Sequence, residues 1–336
     1  MASTLQNGPA PDLVVRLGRA RLKNPVLTAS GTCGYGPEYA PYLDLSRLGG
    51  FTTKSVTLEP RLGNPPERIA ETSGGLLNAI GLANVGLERF LAEKAAALSS
   101  LGTAVLVNVA GHSVRDYVET CRRLDPLADA AAESGVIGIE LNVSCPNVAD
   151  GLVFGTDPPR LRELVAEVRS VVRRGLLVVK LSPNVTDITA TARAAIEGGA
   201  EALSLVNTFL GMAIDIRTWR PALANRCGGL SGPAIKPLSV YMVNKVWREV
   251  ARDAGVPLIG MGGISSWQDA VEFLLAGATA VSIGTALFSD PTTPLRVIDG
   301  LAAYLRERRL SAVTQIVGGV DSGETPAAAN PPPLSG

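Results

Sequence analysis

The sequence predicts a single (β/α)8 barrel, an α/β fold, with active-site loop insertions after its second and sixth strands. Short apolar segments rich in β-branched residues alternate with helical segments along the chain. Eight such strands can be counted, and eight parallel strands close this kind of barrel. The length of 336 residues also fits one barrel with insertions. An open doubly wound sheet is the alternative, but no Gly-x-Gly-x-x-Gly follows the first strand.

The predicted strands are apolar runs that stop at polar or glycine residues. They span residues 25–30, 50–56, 103–109, 135–143, 176–181, 202–207, 256–261 and 280–283. Helices are predicted between them, over 86–101, 114–134, 157–174, 188–197, 241–254, 267–275 and 294–308. The helix at Asp157 has the clearest start, because an acidic N-cap is followed by a proline at the first helical position.

One domain accounts for nearly the whole chain. Residues 13–318 are predicted to form the barrel, between a flexible N-terminus over 1–12 and a disordered tail rich in Pro, Ala and Gly over 319–336. Two connections, 58–86 and 208–240, are too long for simple turns. Since both follow strands, they are expected to lie over the C-terminal face of the barrel as lids or binding loops.

Composition excludes several classes of protein. Lys plus Arg and Asp plus Glu both number 31, so no basic field indicates nucleic acid or an anionic membrane as a partner. The uncharged segment 273–288 is shorter than the ~20 residues of a membrane span and is predicted as a helix end plus a strand. A single histidine, His112, excludes a His-rich zinc site, and we expect no metal. The scattered cysteines and the absence of a signal sequence predict a cytoplasmic protein without disulfides.

The segment Glu140–Asn147 ends a buried strand with a thiol, Cys145. Pro146 removes a ladder donor and holds Cys145 in an extended or turn conformation. An isolated intracellular cysteine is more often a small buried side chain than a functional group. The polar neighbours Asn142, Ser144 and Asn147 favour a functional thiol here, because they can orient a polar ligand.

Polar side chains end most of the predicted strands, and in a barrel they converge on one face. They are Ser30, Lys54, Ser55, Asn108, Asn142, Lys180, Asn207 and Thr208. The last two strands end in Gly262-Gly263 and Gly284-Thr285, the position at which barrels bind phosphate through backbone N–H groups. Each feature alone could be structural. Together they predict a site for flavin mononucleotide (FMN), with Cys145 as the base that removes a substrate proton.

Two other functions fit the same residues. In a Schiff-base aldolase, Lys180 would be the nucleophile in a desolvated pocket. A non-catalytic binding barrel would need no thiol base at all.

Several motifs resemble those of class 1 dihydroorotate dehydrogenases. They are Asn142-Val-Ser-Cys-Pro-Asn147, Thr53-Lys-Ser-Val-Thr57, Gly63-Asn-Pro-Pro-Glu-Arg68, Leu77-Asn-Ala-Ile-Gly-Leu82, Ser231-Gly-Pro-Ala-Ile-Lys236 and the two late glycine pairs. The resemblance extends from about Leu13 to about Arg308. Class 2 enzymes use a serine base and a membrane-associating extension, which this sequence lacks. The motifs around Gly63 and Asn78 are most similar to type B, whereas Ala83-Asn84-Val85 departs from the family pattern.

The resemblance implies an oxidoreductase of de novo pyrimidine biosynthesis that converts dihydroorotate to orotate, with Cys145 as the base. It implies FMN contacts from Ser30, Lys54, Ser55, Asn108, Asn142, Lys180, Val206, Gly232, Gly262, Gly263, Gly284 and Thr285. It implies substrate contacts from Lys54, Asn78, Ala79, Ile80, Gly81, Leu82, Asn142, Asn207 and Thr208. Type B further implies NAD as the final acceptor, reached through a partner subunit that carries FAD and a 2Fe-2S cluster, in a homodimer or heterotetramer. Type A, which uses fumarate, is the alternative.

Overall fold

The computed structural model of the chain describes residues 10–144 and 154–320. Cys145, most of the predicted tail 319–336 and most of the predicted flexible segment 1–12 lie outside the described residues. Asp12 is described, and its backbone N–H donates to the carbonyl of Ser311 at 2.8 Å.

Eight parallel strands form a closed barrel, which confirms the predicted fold class. They are β1 Val26–Thr28, β2 Gly50–Thr52, β3 Ala104–Val109, β4 Gly135–Asn142, β5 Leu176–Lys180, β6 Ala202–Leu205, β7 Leu258–Met261 and β8 Ala280–Ile283. Each strand pairs in parallel with the next along the chain, and β8 pairs with β1. Almost every strand residue is buried, as their continuous apolar runs predict.

The helices return the chain from the C-terminal to the N-terminal end of the barrel. They are Leu87–Glu93, Ala95–Leu98, Val114–Leu124, Pro158–Val171, Ile188–Glu197, Lys236–Val246, Arg252–Ala254, Trp267–Leu275, Ala286–Ser289 and Thr293–Glu307, with a π-helical turn at Trp247–Ala251. Short 3-10 turns lie at Leu45–Arg47, Ser99–Leu101, Asp125–Leu127, Phe154–Thr156, Pro233–Ile235 and Val313–Ile316. Within the two described segments, none of the helices has the length and apolar content that crossing a bilayer requires.

Residues near the helix starts allowed most of these starts to be predicted correctly from the sequence. Asp157 accepts a hydrogen bond from the backbone N–H of Arg160 at 3.2 Å, so it is the predicted N-cap of Pro158–Val171. The helix predicted from residue 241 begins earlier, at Lys236, because Pro237 occupies its first turn, where no N–H is required.

An antiparallel hairpin that the strand pattern did not indicate closes the N-terminal end of the barrel. It pairs Val15–Leu17 with Ala20–Leu22. Its inward side chains are fully buried in the main core, and Gly18 lies against Leu176, the first residue of β5. The strands are only three residues long, too short for period-2 alternation to stand out in the sequence.

The two long connections combine into one structure over the other end of the barrel. Ile69–Thr72 and Gly75–Asn78 come from the first connection, and Phe209–Gly211 and Gly228–Ser231 from the second. They form one four-stranded antiparallel sheet, in which Gly75–Asn78 pairs with Gly228–Ser231. A separate pair of short strands, Ile214–Asp215 and Arg220–Pro221, extends the second connection. We call the four-stranded unit the cover sheet.

The helix predicted over 114–134 is too long, because Asp125 ends it. The helix stops at Leu124, and the Asp125 carboxylate accepts backbone N–H groups of Arg173, Arg174 and Gly175 at 2.9–3.0 Å. These donors lie just before β5, so Asp125 joins two connections at the N-terminal end of the barrel. Asp125 is 6% exposed and its bond to the N–H of Gly175 is buried, so this donor has no ready replacement acceptor in water.

We expect Asp125→Ala to lower the free energy of unfolding by about 2–4 kcal/mol, because it removes the charged acceptor of three backbone N–H groups, of which that of Gly175 is buried. The measurement is urea denaturation followed by far-UV circular dichroism. Asp129→Ala is the matched control, since Asp129 is exposed on the same connection and, among the described residues, its carboxylate accepts only from the N–H of Ala131. Equal stability of the two variants would contradict this account of Asp125.

Candidate active site

One large cavity lies between the C-terminal ends of the strands and the cover sheet. Its volume is about 1230 Å³. Side chains from the ends of several strands line its floor, and residues of both long connections form its walls and roof. It therefore occupies the face on which barrel enzymes build their active sites.

The cavity brings together the described site residues that the sequence predicts, with one exception. Lining it are Ser30, Lys54, Ser55, Asn78, Ala79, Ile80, Gly81, Leu82, Asn142, Lys180, Val206, Asn207, Thr208, Gly232, Gly262, Gly263, Gly284 and Thr285. Asn108 does not line it, because its side chain is fully buried beneath the floor. Cys145 lies outside the described residues, but Ser144, directly before it, is part of the cavity wall.

Glycine turns after β7 and β8 provide backbone donors without side chains. Gly262 and Gly263 have φ of +123° and +79°, a region that L-residues with a Cβ rarely adopt. A Cβ on Gly263 would come within 2.9 Å of the carbonyl oxygen of Gly232. Within the described chain, no acceptor takes the N–H groups of Gly263, Ile264 or Gly284. Such a turn suits an anionic group that accepts several N–H bonds.

The helix after the β7 turn is closed by its own residues, so its N-terminus is not open to a ligand. Ser266 and Asp269 form a reciprocal capping box at the start of Trp267–Leu275. Asp269 also accepts from Lys236 Nζ at 2.7 Å. Burial alone would raise the pKa of Asp269, but hydrogen bonds from Lys236, Ser265 and Ser266 lower it to about 2. The expected phosphate site therefore depends on the glycine turns and not on this helix.

Two lysines bring positive charge to the cavity. Lys180 is only 6% exposed, and no carboxylate in the described part of the chain forms an ion pair with it. Burial, and secondarily the positive charge of Arg68, lowers the pKa of Lys54. Both effects disfavour the cationic state of Lys54, whereas an anionic ligand beside it would favour that state. By contrast, Lys236 is neutralised by Asp269 and Glu272.

A pair of carboxamides connects β4 to β6 across the cavity floor. Asn207 Nδ2 donates to Asn142 Oδ1 at 3.2 Å, and Asn207 Oδ1 accepts the N–H of Thr208 at 2.9 Å. The hydroxyl of Tyr117, from the helix behind β4, donates to the carbonyl of Asn142 at 2.7 Å. These bonds fix the end of β4, the residues directly before the segment that contains Cys145.

Four polar side chains, from the end of β2 and from β3, β4 and β6, form a hydrogen-bonded chain at and beneath the floor. Ser55 Oγ donates to Asn108 Oδ1 at 2.5 Å, and Asn108 Nδ2 donates to Glu140 Oε1 at 2.7 Å. Ser204 Oγ donates to the other Glu140 oxygen at 2.7 Å. The sequence analysis did not single out Glu140 or Ser204, which lie beneath the floor and do not line the cavity. A signal for Glu140 was present, because Gly138, Glu140 and Asn142 alternate and so face the same side of β4.

The arrangement suits a planar, phosphate-bearing cofactor beside a small anionic substrate. The glycine turns provide N–H groups for a phosphate, while carboxamides and hydroxyls provide donors and acceptors for the edge of a heterocycle. The lysines stabilise negative charge in a partly dehydrated space. The donor set of the cavity therefore fits a flavin mononucleotide.

Comparison with known proteins identifies the family. A family model described as dihydroorotate dehydrogenase matches residues 12–305. A protein of Pelobacter propionicus, "Dihydroorotate dehydrogenase B (NAD(+)), catalytic subunit", is 49% identical over 93% of this chain and 99% of its own length. Proteins with the same name from Geotalea uraniireducens and Bacteroides fragilis are 49% and 47% identical over 92% of this chain, and over 98% and 99% of their own lengths.

The resemblance seen in the sequence motifs, including its similarity to type B of class 1, is confirmed by these matches. The matched region contains the whole barrel, both long connections and every described residue that lines the cavity. The chain belongs to the dihydroorotate dehydrogenase family.

Proposed function

We propose that the chain is the catalytic subunit of a type B dihydroorotate dehydrogenase, which oxidises dihydroorotate to orotate in de novo pyrimidine biosynthesis. The observation that carries the proposal is the cavity itself. It joins backbone N–H groups suited to a phosphate, a buried lysine without a carboxylate partner among the described residues, and a carboxamide pair at the end of β4, three residues before Cys145 in the sequence. Membership of the family argues against the Schiff-base aldolase considered for Lys180.

The flavin is proposed to be FMN. Its phosphate would be held by the turns at Gly262-Gly263 and Gly284-Thr285, and its ring by Ser30, Lys54, Ser55, Asn142, Lys180, Val206 and Gly232. Asn108, which does not line the cavity, would act on the ring only through its hydrogen bond with Ser55. When bound, FMN supplies a hydride acceptor. Lys180 is the residue proposed to stabilise negative charge on the reduced ring, because its buried ammonium has no carboxylate partner among the described residues.

Dihydroorotate is a small ring with a carboxylate and an edge of carbonyl and N–H groups. Lys54, Asn142, Asn207, Thr208 and the segment Asn78–Leu82 are proposed to bind it. Asn78 Nδ2 donates to the carbonyl of Gly229 at 3.2 Å, which fixes the amide and leaves its oxygen for the ligand. The lowered pKa of Lys54 supports its role, since the bound carboxylate would restore the charged form.

Cys145 is proposed to remove the substrate proton as the general base. It lies outside the described residues, so the support is its place in the sequence directly after Ser144, which lines the cavity. The side chain of Ser144 has a buried Oγ without a hydrogen-bond partner in the described chain. A ligand in the cavity would satisfy this oxygen, which adds support for a polar ligand at this point.

A partner subunit is proposed to hold FAD and a 2Fe-2S cluster and to pass electrons to NAD, in a heterotetramer; a homodimer is the simpler assembly. The cysteines at 33, 121, 145 and 227 lack the ligand spacing of a plant-type cluster. Burial raises the pKa of the Cys33 thiol to about 11 and also raises that of Cys121. Since cluster ligands are thiolates, these two buried thiols are poor candidates for iron.

The cofactor assignment predicts that acid denaturation of the purified chain releases FMN, at about one molecule per chain, as the only flavin. The reason is that the glycine turns form one phosphate site and the sequence has no dinucleotide-binding fingerprint. Chromatography of the released flavin against FMN and FAD standards is the measurement. FAD as the sole product would refute the assignment.

The base assignment predicts that Cys145→Ser slows flavin reduction by dihydroorotate by about 100-fold or more. A hydroxyl is a far weaker base than a thiolate, and FMN content and orotate binding should persist. In the unmodified chain the rate should rise with pH through ~8.5, because the thiolate is the active form. Anaerobic stopped-flow absorbance measures both effects.

Cys227→Ser is the matched control for this experiment, since Cys227 also lines the cavity and undergoes the same chemical change. Its rate should stay close to that of the unmodified chain. A Cys145→Ser variant as fast as this control would remove Cys145 from the mechanism.

The type B assignment predicts that the chain alone oxidises dihydroorotate with an artificial dye but hardly with NAD. Adding the cognate iron–sulfur flavoprotein subunit should restore NAD reduction. Steady-state turnover is measured with NAD, fumarate and the dye in parallel. Rapid NAD reduction without a partner would contradict the two-subunit proposal, and rapid fumarate reduction would assign the chain to type A.

A further inference from the structure

We propose that Glu140 is a positioning residue, which sets the direction of a hydrogen-bond chain and thereby the donor and acceptor pattern that the cavity floor presents to the flavin. The inference rests on the proposed FMN site. It concerns a buried carboxylate to which the reaction proposed above gives no role.

Glu140 is held inside the barrel without a cation. Its side chain is on β4, and the residue is 1% exposed. Its two oxygens accept from Asn108 Nδ2 and from Ser204 Oγ, each at 2.7 Å. In the described chain it forms no ion pair, and the strand register places Asn108 directly opposite it on β3. Removing such a group from water is costly unless each oxygen is hydrogen-bonded, and here both are.

A carboxylate fixes the orientation of the amide beside it. An ionised carboxylate only accepts hydrogen bonds, so Asn108 must turn its NH2 group toward Glu140. The amide oxygen of Asn108 then faces Ser55, whose hydroxyl hydrogen is used in the 2.5 Å bond to it. The orientation of a hydroxyl or an amide usually depends on several competing neighbours. Here the carboxylate of Glu140, which only accepts, sets the orientation of both the Asn108 amide and the Ser55 hydroxyl.

The direction of the hydrogen-bond chain determines whether Ser55 presents a donor or an acceptor to the cavity. With its hydrogen committed to Asn108, the Ser55 oxygen faces the cavity as an acceptor only. One N–H of Asn108 also remains without an acceptor in the described chain. The edge of a flavin ring carries both N–H and carbonyl groups, so flavin binding depends on which groups of the floor are donors and which are acceptors. If the Asn108 amide were flipped, the Ser55 hydroxyl would face the cavity as a donor, and the pattern of donors and acceptors on the floor would be inverted.

Binding of FMN to the apoprotein tests the inference without measuring activity. Apoprotein is titrated with FMN, and quenching of flavin fluorescence gives the dissociation constant. Glu140→Met removes the acceptor at similar length and should weaken FMN binding about tenfold, the effect of one hydrogen bond to a charged group. Glu140→Gln keeps one acceptor oxygen for Asn108 but no longer forces the Asn108 amide into one orientation. The dissociation constant of this variant for FMN should therefore lie between those of Glu140→Met and the unmodified chain.

Ser204→Ala is the matched control. It removes the other hydrogen bond of the same carboxylate but leaves the bond to Asn108, so FMN binding should stay within about twofold. Glu140→Gln is also combined with Ser55→Ala. If Glu140 acts through Ser55, its substitution should have a smaller effect when Ser55 is already absent.

The outcomes separate positioning from other roles. Equal weakening by Glu140→Gln and Glu140→Met would indicate that the charge matters and not the orientation, and would overturn the inference. The inference would also be overturned if Glu140→Gln weakened FMN binding no more than Ser204→Ala does. This second comparison remains decisive if Glu140→Met does not fold. Full additivity with Ser55→Ala would overturn it as well. Failure of the unmodified apoprotein to bind FMN would instead refute the proposed cofactor.

Discussion

Closure of the parallel ladder is the constraint on which the rest of the molecule depends. Strands buried on both faces must pair all their backbone N–H and C=O groups, and a closed barrel achieves this without an edge strand. Since all eight strands run in the same direction, their C-terminal ends meet on one face. Polar residues from 30 to 285, far apart in the chain, therefore line one cavity.

The two ends of the barrel are closed in different ways. The N-terminal end is closed by apolar side chains of the Val15–Leu22 hairpin and by the hydrogen bonds of Asp125. The C-terminal end contains buried polar groups, which are stable there only because side chains of other strands satisfy them, as Ser204 and Asn108 satisfy Glu140. The network around Glu140 thus places buried polar groups directly beneath the cavity, at the end where a ligand can use them.

Charge in the cavity is divided between two regions. Around the glycine turns, Lys236 is neutralised by Asp269 and Glu272, so backbone N–H groups provide the attraction for an anion. Near the centre, Lys180 lacks a carboxylate partner in the described segments, and the charged form of Lys54 is disfavoured by burial. A phosphate is therefore expected to be bound by dipoles, and developing or substrate charge by cations.

The sequence by itself determined the strand order, the barrel class and the face that carries the cavity, and the described residues that it predicted for the site all line that cavity, except Asn108. It could do so because a strand and its terminal residue are contained in a few consecutive positions. Only the tertiary structure decided that the two long connections join in one cover sheet, that Asp125 ends its helix, and that Glu140 holds Asn108 and Ser204. The partners of Glu140 are 32 and 64 residues away, and those of Asp125 are 48 to 50 residues away. Such contacts depend on strand register and barrel closure, which no local pattern of residues encodes.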